Sequence, residues 1–417
     1  MGQPQRQGIF PTFFLSGFEC STFLWQDGRR RDLVAETQHR AHALEDYRVL
    51  RNLGIAVARE GIPWPLVDKG GGRYDFSPIE PVLDAMRQTG VRPIWDLFHY
   101  GYPGDSDPFD DAFAARFADY CRACARHVSE QLDGPSWFTP VNEITFFSFA
   151  GGEWGWAAPY GKDRQTRERF RLALCTASIA GVKALREVLP QSRMVHVDPL
   201  IQVVAPPDRP DQQEAAEHET FVDAFLAWDI LYGREHPELG GAPEILDIVG
   251  ANNYSFGQME YRESGPHQAL PPGSPGIQPL STLLQRIWDR YRRPMIIGET
   301  SGLGEGRPDW LRDVMNESMA AVNLGMDLHG VCLFPGVDMP DWHTGEWLHN
   351  GICDLVPSGQ ELSRVPHEPY ISELRRWQKE LNRVTELDED PFSDPVDLQD
   401  VVDAAQRLRP APDEDWS

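Results

Sequence analysis

Thr139-Pro140-Val141-Asn142-Glu143 and Met295-Ile296-Ile297-Gly298-Glu299-Thr300-Ser301 are two apolar, strand-like runs that each run into a glutamate. The chain between them has room for roughly three further strand/helix units. Working outward from these runs, the same alternation extends over most of the sequence. The pattern predicts strands over 13–18, 55–59, 91–98, 137–142, 194–198, 245–252, 295–298 and 330–334. Helical periodicity separates them over 41–53, 77–90, 111–132, 167–188, 214–232, 280–290 and 310–324. Gly54 and Gly90 read as C-terminal stops, and Ser77-Pro78 as a helix start. The strands are apolar throughout instead of alternating, which marks a parallel sheet buried on both faces. Eight such units predict an α/β protein of the closed (β/α)8 TIM-barrel type. No G-x-G-x-x-G or P-loop fingerprint follows any strand, which argues against a nucleotide-binding open sheet.

The 417 residues fit one such barrel, expected over 1–380, with an acidic C-terminal extension over 381–417. The extension carries Asp388-Glu389-Asp390 and Asp413-Glu414-Asp415, and also Val401 and Val402 in a short helical pattern. It is either a packed addition or a disordered tail. Residues 264–279, rich in Pro and Gly, are expected to form a long loop. A net charge of −25 argues against nucleic acid and anionic membrane surfaces as partners. It favours neutral or cationic small molecules. Thirteen Trp and eleven Tyr suit stacking on sugar rings, and equally a large core. There is no apolar leader and no span of about 20 apolar residues, so a cytoplasmic location is expected. Six scattered cysteines fit reduced thiols. Cys121 and Cys124 share one face of an amphipathic helix, where core packing is the simpler reading.

Barrels of this kind place catalytic groups at the C-terminal ends of their strands. Those ends supply Glu19, Arg59, His99, Asn142 with Glu143, Asp198, Asn252 with Tyr254, Glu299, and Asp338 with Asp341 and Trp342. Carboxylates, amides, an imidazole, a guanidinium and aromatic rings on one rim suit a polyhydroxylated ligand. Two carboxyls facing each other across a pocket are what glycosidic-bond hydrolysis requires. One gives a proton to the leaving oxygen; the other attacks or activates water.

Thr139-Pro-Val-Asn142-Glu143 resembles the T-F-N-E-P segment of glycoside hydrolase family 1, the β-glucosidases and β-galactosidases. Ile297-Gly298-Glu299 resembles that family's I-T-E-N-G. Further segments match in order. They are Val57 to Trp64 (R-F-S-I-S-W), Leu97 to Pro103 (L-Y-H-W-D-L-P), Gly155 to Pro159 (G-x-x-A-P-G), Asp247 to Tyr254 (D-F-I-G-I-N-Y-Y) and Phe334 to Trp342 (W-S-L-L-D-N-F-E-W). The resemblance covers roughly residues 12 to 355. It departs from the family at Ile144 (Pro), Phe334 (Trp) and Asp341 (Glu). The family's first-strand glutamine has its nearest match in Gln26, while Glu19 stands where small residues are usual.

The resemblance implies a β-glucosidase- or β-galactosidase-like retaining glycosidase. Glu143 would be the acid/base and Glu299 the nucleophile, with no cofactor and no metal. Arg59, His99, Asn142, Asn252, Tyr254, Asp341, Trp342, Gln26 and Trp154 would bind the carbohydrate or glycoside. Asn142 would donate to the sugar 2-hydroxyl. Arg59 and the Tyr254 hydroxyl would lower the pKa of Glu299, and apolar walls at Trp154 and Phe146 would raise that of Glu143. Trp154, Trp156 and Trp347 would form a leaving-group platform. Two alternatives stand beside this reading. One is a metal-dependent barrel hydrolase using His99, His196, Asp198 and His343. The other is a sugar-binding pseudo-enzyme or transglycosylase on the same barrel.

Overall fold

Eight parallel strands close into one barrel, each pairing with its neighbours in chain order and the last with the first. They are β1 (Phe14–Gly17), β2 (Val57–Gly61), β3 (Arg92–Asp96), β4 (Trp137–Thr139), β5 (Arg193–Pro199), β6 (Ile248–Asn253), β7 (Met295–Thr300) and β8 (Leu328–Leu333). The computed structural model describes residues 8–134, 136–381 and 398–408. Outside the strands lie α1 (His39–Asn52), α2 (Glu80–Thr89), α3 (Ala112–Gln131), α4 (Arg164–Val188), α5 (Ala224–Tyr232), α6 (Leu280–Tyr291), α7 (Arg307–Asn323) and α8 (Glu368–Glu380). The expected (β/α)8 TIM barrel is therefore the observed fold. Among the described residues no helix is long and apolar enough to cross a membrane.

Two apolar shells explain why the strands read as continuously hydrophobic. Leu15, Val57, Ile94, Trp137, Val195, Val197, Ile248, Ile296 and Cys332 point inward and fill the barrel. Phe10 packs on Trp137, with ring centroids 5.2 Å apart, in that same inner cluster. The alternate residues, such as Ala58, Trp95, Phe138, Met194, Val249, Ile297 and Val331, meet the helices. Above the inner apolar layer, later inward positions turn polar at Arg59, Asp96 and Asn252. A packed interior below a polar mouth is thus written into each strand from its start to its end.

Several predicted bounds shift. Strand β4 stops at Thr139, before the expected Asn142, because the chain turns there to enter a short helix over Ile144–Gly152. The helix expected over 214–232 is three pieces, Gln213–His218, a π-helical turn Glu219–Asp223 and then α5. The loop expected over 264–279 contains the strand Gln268–Ala269, which joins Gln258–Glu260 and Gln202–Val204 in a small sheet outside the barrel. A hairpin over Cys353–Ser358 and Glu361–Pro366 follows β8. Leu398–Arg407 is helical with Leu398, Val401, Ala404 and Ala405 buried, and Asn323 Nδ2 of α7 donates to Ala405 O at 2.7 Å. The acidic runs at 388–390 and 413–415 lie outside the described residues. Cys121 and Cys124 are free and fully buried on α3, and burial pushes both thiols up, so they are core residues.

Candidate active site

Glu143 stands at the N-terminus of the Ile144–Gly152 helix with φ 45 and ψ 60, in the left-handed region. That conformation is uncommon for a side chain with a Cβ. Neighbouring strands hold it there. Glu143 N–H donates to Val197 O of β5 at 3.1 Å, and Asn142 N–H to Phe98 O beyond β3 at 3.0 Å. Asp198 fixes the helix start by accepting from Thr145 N at 3.0 Å and Thr145 Oγ1 at 2.7 Å. Glu299 is aimed differently. Ile296 faces the barrel interior and Ile297 the helices, so strict alternation would turn Glu299 outward. The β6/β7 ladder slips between Ile297 and Glu299, and this irregularity re-aims the carboxylate.

The two carboxyls meet different partners. Glu299 Oε1 accepts from Arg59 Nη1, and its Oε2 accepts from the Tyr254 hydroxyl at 2.9 Å. Arg59 also donates from Nη2 to Asp96 Oδ2 and to Asn142 Oδ1, both at 2.6 Å. Glu143 Oε1 accepts from Asn252 Nδ2 at 2.8 Å, and its Oε2 accepts from the Tyr100 hydroxyl. Both glutamates are nearly enclosed, at 8% and 5% exposure. Burial pushes the Glu143 carboxyl up, the charge of Glu299 adds to this, and its pKa reaches about 8. For Glu299 the sequence led to an expectation of a lowered value. Burial outweighs the pull of Arg59, so the net direction is upward. Glu143 has no cation of its own, whereas Glu299 has Arg59, so the partners favour the proton on Glu143.

His99 closes the third side. Its Nδ1 lies 3.1 Å from Asp96 Oδ2 and 3.2 Å from Cys20 Sγ, and its Nε2 lies 3.1 Å from Asn142 Nδ2. Burial pulls its pKa down, but Cys20, Glu19 and Asp96 outweigh this and hold it well above its ordinary value. Asn142 Nδ2 donates to the Tyr100 hydroxyl at 3.0 Å. The aromatic wall follows from there. Tyr100 meets Trp342 and Phe146 at 5.2 and 5.5 Å between centroids, and Trp154 packs behind Phe146 at 6.2 Å. Trp154 touches Trp156 at 4.6 Å, and Trp156 meets His343 at 4.5 Å, making an aromatic ledge. Trp347 is part of the β8 loop, bridged to Pro340.

Arg59, His99, Asn142, Glu143, Asn252, Tyr254 and Glu299 thus form one hydrogen-bonded cluster, with Trp342 on its wall. Three expected sugar-binding residues fall outside the cluster, Trp154 behind Phe146 being one. Gln26 is exposed in the turn where Gly28 N–H donates to Trp25 O at 2.8 Å. Asp341 spends its Oδ1 on its own loop, accepting from His343 N at 2.9 Å and Thr344 N at 2.7 Å. Asp338 is equally structural, accepting from Gly351 N, Leu355 N and His349 Nδ1. His196 binds Ile245 O at 2.9 Å, and Asp198 is taken up by Thr145, so the four groups of the metal reading are separately engaged. Three members of the site were not among the expected ligands, one of them Asp96 at the end of β3, which accepts from Arg59. Tyr100 lies in the quoted segment after β3, and its hydroxyl finds Glu143. Glu19 follows β1, is buried, and lies 3.6 Å from His99 Nε2. Its unusual size at a small-residue position was the available signal.

No protein-family model matches the chain. Among curated proteins it is 23% identical to the aryl-phospho-β-D-glucosidase BglC of Bacillus subtilis, over 82% of this chain and 87% of that one. It is 22% identical to β-glucosidase A of Acetivibrio thermocellus, over 79% and 84%. Among solved structures, the family 1 β-glucosidase from Thermotoga maritima aligns with a TM-score of 0.73 at 18% identity, covering 91% of this chain and all (100%) of that one. A β-glucosidase from the same organism in complex with glucoimidazole aligns with a TM-score of 0.74 at 17% identity. The chain is a divergent relative of the family 1 β-glucosidases and shares their (β/α)8 barrel.

Proposed function

We propose that this protein is a retaining β-glycosidase that hydrolyses O-glycosidic bonds by double displacement. The observation that carries this reading is a pair of buried carboxyls, one just beyond β4 and one on β7, that meet different partners. Glu299, held as an anion by Arg59 and Tyr254, attacks the anomeric carbon. Glu143, protonated up to about pH 8, delivers its proton to the leaving oxygen. Once ionised, it takes a proton from the incoming water, and water releases the sugar from Glu299. The hydrogen bonds from Tyr100 and Asn252 stabilise the Glu143 anion that exists between the two steps. Similarity to proteins named as β-glucosidases supports the same reaction class.

The test is a set of nitrophenyl β-glycosides with wild type and Glu299→Gln. Wild type should cleave at least one of them, and the first-formed sugar should keep the β configuration by NMR. Glu299→Gln should lose nearly all turnover, and a 2-fluoro glycoside should label the peptide containing Glu299. An inverted product, or near-normal hydrolysis by Glu299→Gln, refutes the assignment.

A further inference from the structure

Glu19 is a further carboxylate in the candidate site that the reaction above does not use. It follows β1 directly and is 5% exposed. Its Oε1 accepts from Ser21 N at 3.0 Å, which fixes the side chain, and lies 3.6 Å from His99 Nε2. Its Oε2 accepts no hydrogen bond from the described residues. Its charge is felt at Glu299, Tyr100 and Tyr254, so it stands beside the same cluster. Within a residue so enclosed, that oxygen is not sealed off but left open to the site, where a ligand can supply the donor.

The charge balance points the same way. Glu19, Asp96 and Glu299 outnumber the cations of the cluster, Arg59 and His99. Both terminal nitrogens of Arg59 are already engaged by Glu299, Asp96 and Asn142. A bound sugar therefore meets an acceptor-rich wall at Glu19, where hydroxyl and ammonium groups gain and a carboxylate or phosphate loses.

Resting on the glycosidase reading, we propose that Glu19 is a specificity-determining residue. Its free oxygen accepts a hydrogen bond from a donor on the glycosyl unit, with His99 beside it. The substrate class is then neutral glycosides and glycosides of amino sugars, in preference to those carrying an anionic group on the part of the ring that reaches Glu19.

The experiment compares wild type, Glu19→Gln and Glu19→Asp on the best nitrophenyl β-glycoside found for the wild type. It adds a series in which each sugar hydroxyl in turn is replaced by an amine. Glu19→Gln keeps the Ser21 contact and the side-chain shape while removing the charge. It should lose about tenfold or more in kcat/KM on the parent glycoside. At one amine position the wild type should gain relative to Glu19→Gln by at least tenfold, because an ammonium there pairs with the carboxylate. Glu19→Asp, which keeps the charge, should retain that preference at reduced rate. A parent kcat/KM for Glu19→Gln within twofold of wild type, or an amine series that ranks identically in both, overturns the proposal. Failure of the wild type to cleave any glycoside would instead strike the underlying function, so the two failures are distinguishable.

Discussion

Replacing Tyr100 by Phe removes one hydroxyl and nothing else from the contact with Glu143 Oε2. A hydrogen bond to an ionised group contributes ~1.5–3 kcal/mol. The protonated carboxyl keeps part of the interaction, because a hydroxyl can reorient toward it. The differential effect on ionisation is then about half, ~0.8–1.5 kcal/mol, which is roughly half to one pH unit. Glu143 titrates at about 8, and the Tyr100 contact is one of the forces holding it down against burial. Tyr100→Phe should therefore move the alkaline limb of the kcat/KM profile upward by roughly half to one unit. Tyr254→Phe is the counterpart, since its hydroxyl serves Glu299 at 2.9 Å. That change should raise the acid limb and leave the alkaline one in place. The assay is kcat/KM against pH for one aryl glycoside with all three proteins. An alkaline limb that stays put or falls in Tyr100→Phe, or one that moves equally in Tyr254→Phe, refutes the assignment of acid and nucleophile.

The site's neighbours give further predictions. An alanine Cβ at Gly298 would lie 2.6 Å from Asn252 Oδ1 and 2.8 Å from Val197 Cγ1, so Gly298→Ala should displace Asn252 from Glu143. It should destabilise the fold by about 1–3 kcal/mol and lower kcat more than it raises KM; a fully active variant would show that the β7 slip absorbs a side chain. Arg59→Met strips the cation from Asp96 and Glu299 and should cost about 3–5 kcal/mol in urea unfolding, with a loss under 1 kcal/mol contradicting the network. His39 is fully buried between Asp46 at 2.7 Å and Glu60 at 2.9 Å. Burial pulls its pKa down, but Glu60 and Asp46 outweigh this and hold it at about 9, above the ordinary 6.5. The folded state thus keeps a proton that the unfolded chain releases, so its stabilisation is complete below pH 6.5 and is lost as pH rises through about 9. Melting temperature should fall across that window in the wild type and fall less steeply in His39→Gln; identical slopes would dismiss the pair of ion contacts.

The barrel was legible because each strand is buried on both sides, which leaves an unbroken apolar run that few other folds require. Glu143, Glu299, Arg59 and Tyr254 were legible because strand ends in such a barrel share one rim. What could not be read was the backbone geometry that decides where the rim residues point. Alternation from Ile296 would put Glu299 outside, and only the ladder slip after Ile297 turns it in. Tyr100 reaches Glu143 from a residue at φ 61, a turn that its side-chain type does not announce. Gln26 matched by residue type, but the turn at Trp25–Gly28 carries it to the surface. Asp341 matched by alignment, yet the two backbone N–H groups that follow it claim its carboxylate first.

The left-handed backbone of Glu143 has a consequence for the history of the chain. A residue with a Cβ at φ 45 costs roughly 1–2 kcal/mol relative to glycine. Burial of its carboxyl adds to that cost once it ionises. Selection for stability alone would therefore replace Glu143 first, with Gly or Asn, while leaving Glu299 locked to Arg59. A descendant freed from turnover would drift toward a pocket that still holds a sugar but no longer protonates its leaving group. On the proposed mechanism, this glutamate transfers its proton from a position that its own backbone disfavours.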